Sequence, residues 1–209
     1  AYDMCIRNED TPTLDGWLVI PNTLESGWID LYHVPSQQRI IESLGRQADI
    51  RSGTERPAIV MALQICILRD ILWIVAGYED GVLQAWTIPV STMEPTLVWT
   101  HKSHTESIMA LSMSPTCDSV LSLGADYNIV RTALHQEAVP HVQRIKRPGH
   151  ACASVRWDER VCVLGGWDAC ARVFTWPSLE PLAKLAYHKD SIYALSFVPV
   201  SYTHLTLPT

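Results

Sequence analysis

The chain is short of nearly everything that enzymes and nucleic-acid binders need. Its 209 residues contain no G-x-x-x-x-G-K-[ST] and no G-x-G-x-x-G loop, so no backbone cradle for phosphate can be drawn. Six cysteines, at positions 5, 66, 117, 152, 162 and 170, form no C-x-x-C, which excludes zinc-ribbon spacing. His101-x-x-His104 has chelating spacing but lacks a nearby third ligand. Lys and Arg total 16 against 22 Asp and Glu, a net charge of −6, and a phosphate backbone calls for the opposite balance. The one dense basic cluster, Arg144, Lys146 and Arg147, reads as the solvated edge of an outer strand. The longest apolar run, Ile71 to Gly77, is too short for a bilayer-crossing helix. Neither nucleic acid nor membrane is therefore expected as a direct partner. The chain opens on alanine, with no secretory leader, and carries no N-x-[ST] site. Those features lead us to expect a reducing compartment, the cytosol or nucleus. Helical periodicity is missing as well.

What is present is apolar, at 47%, and repetitive. Three segments share one layout: an apolar strand, a tight turn holding an aspartate, and a second strand. They run Ile71–Gly77, Tyr78–Gly81, Val82–Trp86; then Ser119–Gly124, Ala125–Asn128, Ile129–Thr132; then Val161–Gly165, Gly166–Ala169, Cys170–Phe174. Asp80, Asp126 and Asp168 are 46 and 42 residues apart, and Trp86, Thr132 or Phe174 follows each by six. A fainter copy, Leu24 to Tyr32, aligns if Gly27 matches Gly81. Polar residues 37–57 are then expected to be an inserted loop. A further strand precedes each turn, at Ile59–Ile65, Ser107–Met113 and Ala151–Trp157, and Ser191–Phe197 opens another unit. Outer strands are expected at 96–100, 141–146 and 181–186.

Four short strands per period of 42 to 46 residues define the WD-repeat blade. The expected fold is an all-β WD-repeat β-propeller, incomplete, with about four blades plus the opening strand of another. Its units fall at about 14–41, 57–100, 104–146 and 150–187, with the next beginning at 188–199. Residues 200–209 look like translated adapter sequence and are expected to be a non-native tail. Inner strands of such blades are apolar on both faces because each sheet is covered by its neighbours.

Ala76-Gly-Tyr-Glu-Asp-Gly81 with Trp86 is more specific than an isolated Trp-Asp pair. So is Gly165-Gly-Trp-Asp168 with Arg172-Val-Phe174, Pro181-Leu-Ala183 and His188. Together they resemble one WD-repeat branch, the ASTRA-associated protein 1 family, whose animal members are the guanine nucleotide-binding protein subunit beta-like proteins 1. The likeness covers roughly residues 14 to 199. It departs at Ala169 and Cys170, where the family has a polar or basic pair, and around Asp126.

The resemblance implies a non-catalytic scaffold subunit of the ASTRA assembly, linked to chromatin remodelling and to maturation of phosphatidylinositol-3-kinase-related kinases. The implied partners are RuvB-like ATPases, Tel2–Tti co-chaperone subunits and a large kinase-like protein, in the nucleus and also the cytoplasm. A G-protein-β-like signalling subunit and a ubiquitin-ligase substrate adaptor are the alternatives. The family's blade network would pair His104 with Asp126 and His150 with Asp168, with His188 serving the next blade. That structural role outweighs a Cys–His reading of His150 and Cys152. No catalytic, cofactor or metal residue is assigned. Tyr78 and Trp167, beside turn aspartates, are either partner contacts or packed against adjacent loops.

Overall fold

A computed structural model describes residues 2–6, 16–45, 58–135, 139–146 and 149–197. Every regular element among them is a strand. There are sixteen: β1 (Asp3–Ile6), β2 (Gly16–Pro21), β3 (Ile29–His33), β4 (Gln38–Leu44), β5 (Val60–Leu68), β6 (Ile71–Tyr78), β7 (Val82–Pro89), β8 (Thr96–Lys102), β9 (Ile108–Met113), β10 (Ser119–Gly124), β11 (Asn128–Ala133), β12 (His141–Arg144), β13 (His150–Val155), β14 (Val161–Gly166), β15 (Ala171–Thr175) and β16 (Pro181–Leu185). They form four antiparallel four-stranded sheets, each made of four consecutive strands.

The sheets stack face to face, and residue alternation shows why. Along β6, Leu72, Ile74 and Ala76 pack against the first sheet, while Trp73 and Val75 pack against the third. Both faces are dry, so the strand reads as one continuous apolar run in place of in–out alternation. Each fully buried Leu or Ile in these seams contributes about 2 kcal/mol relative to exposure. The same arrangement seats Cys162, Leu164 and Phe174 against Leu121, Leu123 and Ile129 of the third sheet.

The first strand of each sheet lies beside the first strand of the next, β1 by β5, β5 by β9 and β9 by β13. One polar side chain bridges each of these junctions. Asp3 Oδ2 accepts from Ile65 N (2.7 Å), Gln64 Oε1 from Met113 N (3.1 Å), and Ser112 Oγ from Val155 N (3.1 Å). Sequential sheets with adjacent first strands are blades of a propeller, seen here as an open arc.

Three expectations need correction. Gln38–Leu44 is no loop but β4, paired with β3; its exposed Gln38 and Arg39 are ordinary for an edge strand. Residues 46–57 of the expected insertion lie outside the described residues. The first sheet also takes in Asp3–Ile6, which lies outside the 14–41 unit. The segment 191–197 has no ladder partner among the described residues. Ile192 is nonetheless buried against Cys152 and Ala171, and its N–H donates to Gly166 O (3.2 Å). The expected tail, 200–209, lies outside the described residues.

Candidate functional site

Among the described buried polar residues, His104, Ser122 and Asp126 gather around one turn aspartate. Asp80 sits on an exposed turn, and its Oδ1 accepts from Val82 N (3.0 Å). Lys102 Nζ donates to the Asp80 carbonyl. Trp86, six residues on, is buried in the seam between the first two sheets.

In the third blade the network is built. The His104 Nδ1–H donates to Asp126 Oδ1 (3.0 Å), and Ser122 Oγ–H donates to His104 Nε2 (2.9 Å). Asp126 also accepts from Thr105 N (3.0 Å) and Asn128 N (2.9 Å). Burial pushes the His104 imidazole below its ordinary pKa, against the pull of Asp126. Burial alone would raise the Asp126 carboxyl, but the His104 and backbone hydrogen bonds outweigh it and leave its pKa lowered. Gly124 makes this approach possible. A Cβ there would lie 2.7 Å from His104 Nδ1 and 2.9 Å from Asp126 Oδ1. Thr132, in the aromatic slot, is buried with its hydroxyl unpartnered.

The fourth blade does not repeat this, and the pairing of His150 with Asp168 is overturned. Strand register gives the reason. Gly124 pairs with Ile108, and its counterpart Gly166 pairs with His150. His150 therefore fills the apolar slot of Ile108, four residues past the histidine slot. Lys146 holds the histidine slot itself. Leu164 stands where Ser122 stands, so the hydroxyl partner is gone too. Asp168 is instead clamped by Arg172 from β15, with Nη1 to Oδ1 at 2.9 Å and Nη2 to Oδ2 at 2.5 Å. That bidentate pair draws the Asp168 carboxyl down to about 2. His150 is fully buried with both ring nitrogens unpartnered, and desolvation, helped by the Arg172 charge, lowers its pKa to about 4.

The remaining candidates divide. Phe174 is buried in the seam between the third and fourth sheets. His188 is exposed. Tyr78 is buried, 6% exposed, packed in the seam between the first two sheets, and its hydroxyl donates to Gln84 Oε1 (3.0 Å). Trp167 is 41% exposed, with its ring lying over Gly149. Cys152 Sγ–H donates to Ile192 O (3.4 Å), and burial raises its thiol, so no thiolate–imidazole pair forms with His150. Burial pushes the Cys162 thiol up to about 12. Among the described residues, no group of three or more His, Cys, Asp or Glu could hold a metal ion.

Ser122 and Arg172 carry weight that the sequence reading did not give them. Nor did it single out the buried cluster of the first blade. There Asp30 accepts from Asn22 Nδ2 (2.9 Å) and Ser43 N (3.0 Å) and pairs with Arg39 (3.3 Å).

Consecutive four-stranded blades with aspartate turns, and a His–Ser–Asp network in one of them, define a WD-repeat β-propeller protein. No family model matches the chain. It is similar to ASTRA-associated protein 1 of Verticillium alfalfae, 29% identical over 209 residues, covering 94% of this chain and 49% of that protein. The corresponding protein of Schizosaccharomyces pombe is 26% identical over 212 residues, covering 88% and 56%. Guanine nucleotide-binding protein subunit beta-like protein 1 of Mus musculus is 27% identical over 185 residues, covering 87% and 54%. The chain spans about half the length of the curated relatives it matches. The resemblance read from the AGYEDG and GWD segments thus extends over most of the chain.

Proposed function

We propose that the protein is a non-catalytic scaffold subunit of an ASTRA assembly, acting with RuvB-like ATPases, Tel2–Tti co-chaperone subunits and a kinase-like protein. Through them it would serve chromatin remodelling and the maturation of phosphatidylinositol-3-kinase-related kinases, chiefly in the nucleus. The observation that carries this reading is the similarity, over about nine-tenths of the chain, to proteins named as ASTRA-associated. Its polar groups support the same view. His104, Ser122, Asp126, Asp168 and Arg172 are spent on one another within the blades, and the cysteine thiols at 152 and 162 are raised by burial. None of these is presented as a nucleophile with a base. What the fold offers to the outside is surface.

Affinity purification of the full-length protein from its own cells, followed by mass spectrometry, tests this. Recovery of the RuvB-like ATPases, the Tel2–Tti subunits and the kinase-like protein is expected. Recovery of G-protein γ subunits or of ubiquitin-ligase subunits in their place would move the function to one of those classes and leave the propeller intact. Imaging the protein at its native expression level tests the compartment, and a signal confined to the cytosol would exclude the nuclear role.

A further inference from the structure

Between the third and fourth blades the outer strands part. A cleft of about 630 Å³ opens there, lined by Arg144, Lys146, Arg172 and Lys184 around Ile145, Phe174 and Leu182. Each junction buries aromatics in its seam, and the third holds Phe174 and Trp176. Trp86 and Tyr78 occupy the first, and Trp99, whose Nε1–H donates to Leu134 O (3.1 Å), bridges the second. At the third junction, His141 Nε2–H donates to Ser178 O (3.1 Å) and joins the outer strands at one end only. The walls beyond it stay apart.

Three features say what the cleft would take. Its lining includes four cations and no carboxylate, on a chain whose net charge is −6. Arg172 is already neutralised by Asp168, whose charge also reaches Lys184, while Lys146, Lys184 and Arg144 (the last lying over Tyr127) are all exposed. The floor is apolar. The strands on either side, β12 and β16, are the free edges of their sheets, with one row of backbone groups unpaired.

The loss of the histidine network is what sets this up. With lysine in the histidine slot and Leu164 in the serine slot, residue 146 has no buried partner to hold it, and it lines the cleft instead.

We infer that this interblade cleft is a docking site for an extended, acidic peptide segment of a partner protein, its carboxylates on Lys146, Lys184 and Arg144 and an apolar side chain on Leu182, which is 55% exposed. A nucleic-acid strand would use the cations but not the apolar floor or the sheet edges. This site is independent of which assembly the protein joins.

The test is fluorescence polarisation on the full-length protein, with a fluorescein-labelled peptide in which glutamate and leucine alternate. Saturable binding is expected, weakening as salt rises. The Lys146→Glu/Lys184→Glu variant should lose at least tenfold in affinity, and Lys146→Gln/Lys184→Gln a smaller amount. Both lysines are exposed, so both variants should melt with the wild type. Replacing the leucines of the probe by serine should also weaken it. Absence of saturable binding, binding undiminished in the charge-reversed variant, or equal affinity for a single-stranded oligothymidylate would each overturn the proposal.

Discussion

The third and fourth blades have the same strands, the same turn and the same aspartate, yet different polar centres. In the third, Asp126 is the hub of a buried network reaching His104, Ser122 and two backbone N–H groups. In the fourth, Asp168 is held by one arginine of its own hairpin, partly exposed. The blade conserves its shape because the seams are apolar and do not depend on the network. The network is a unit: once the histidine slot holds lysine, a serine facing it would be an unsatisfied hydroxyl, and leucine is the better filling. Gly166 remains, now giving room to Asp168 and Arg172 (a Cβ there would lie 2.8 Å from Arg172 Nη1). The teaching is that a turn aspartate does not imply a histidine network; the residue 22 positions earlier decides it.

The largest expected effect breaks the comparison at its hub. Asp126→Ala would strand the imidazole of His104 and the N–H groups of Thr105 and Asn128 in a buried site, costing about 4 kcal/mol. Asp168→Ala, at a carboxylate a quarter exposed whose single arginine partner keeps some access to water, should cost about 1 kcal/mol. Chemical denaturation of the two variants checks the ratio. Equal losses would mean that the two centres are energetically alike, against the geometry.

Acidity should separate the blades next. The His150 pKa is lowered to about 4 from an unfolded value of 6.5. Above pH 6.5 both states are neutral there and nothing is lost. As pH falls from 6.5 to about 4 the unfolded chain takes a proton that the folded chain refuses. Stability then drops by up to about 3 kcal/mol. His150→Ile, which restores the residue type of Ile108 and Ile192, should raise the melting temperature at pH 5 far more than at pH 8. His104, also depressed, retains a smaller slope of the same sign. Asp168 does not confuse the window, because its stabilisation is lost only below pH 3.8. A variant with the wild-type pH profile would show that the His150 pKa does not change on folding.

Much of this was legible from the residues. Trp73 and Val75 alternating with Leu72, Ile74 and Ala76 announce a strand buried on both faces, and the aspartate turns fix where hairpins reverse. His104 and Asp126 were paired correctly. β4 was hidden because a polar edge strand and a polar loop have the same composition, and only pairing distinguishes them. His150 was misplaced because it lies 18 residues before its aspartate and His104 lies 22 before its own. That difference was visible, but its meaning depends on register, which a sequence shows only through its turns. Arg172 could not be read as the substitute partner, since an arginine on a strand next to a turn is ordinary surface chemistry. The cleft's one local signal, the basic residues Arg144 and Lys146, reads equally well as a solvated strand edge. The cleft itself combines strands some forty residues apart.

A smaller effect tests the substitute clamp. Arg172→Met leaves the Asp168 carboxylate without its bidentate partner, so its pKa should climb from about 2 back towards the ordinary range, at a cost of about 1.5 kcal/mol. A carboxyl-detected NMR titration reads the first and unfolding reads the second. An unchanged Asp168 would mean that Lys184, the other cation near it, suffices.

The smallest stability effect separates the two aromatics that flank turn aspartates. Tyr78→Phe deletes the hydroxyl bond to Gln84 at the buried first junction, and should cost about 1 kcal/mol with no change in partner association. Trp167 is different. Its ring rests on Gly149, where any Cβ would sit 2.1 Å from it, and one face remains open to solvent. Trp167→Ala should shift unfolding by less than about 0.5 kcal/mol, the range of surface changes, while lowering recovery of partners in affinity purification, since exposed rigid tryptophans anchor protein interfaces. Gly149→Ala should reproduce the binding loss by forcing the ring off its seat. If Trp167→Ala destabilises as much as Tyr78→Phe and leaves partner recovery unchanged, both aromatics are packing residues and the turn face of the fourth blade is no interface.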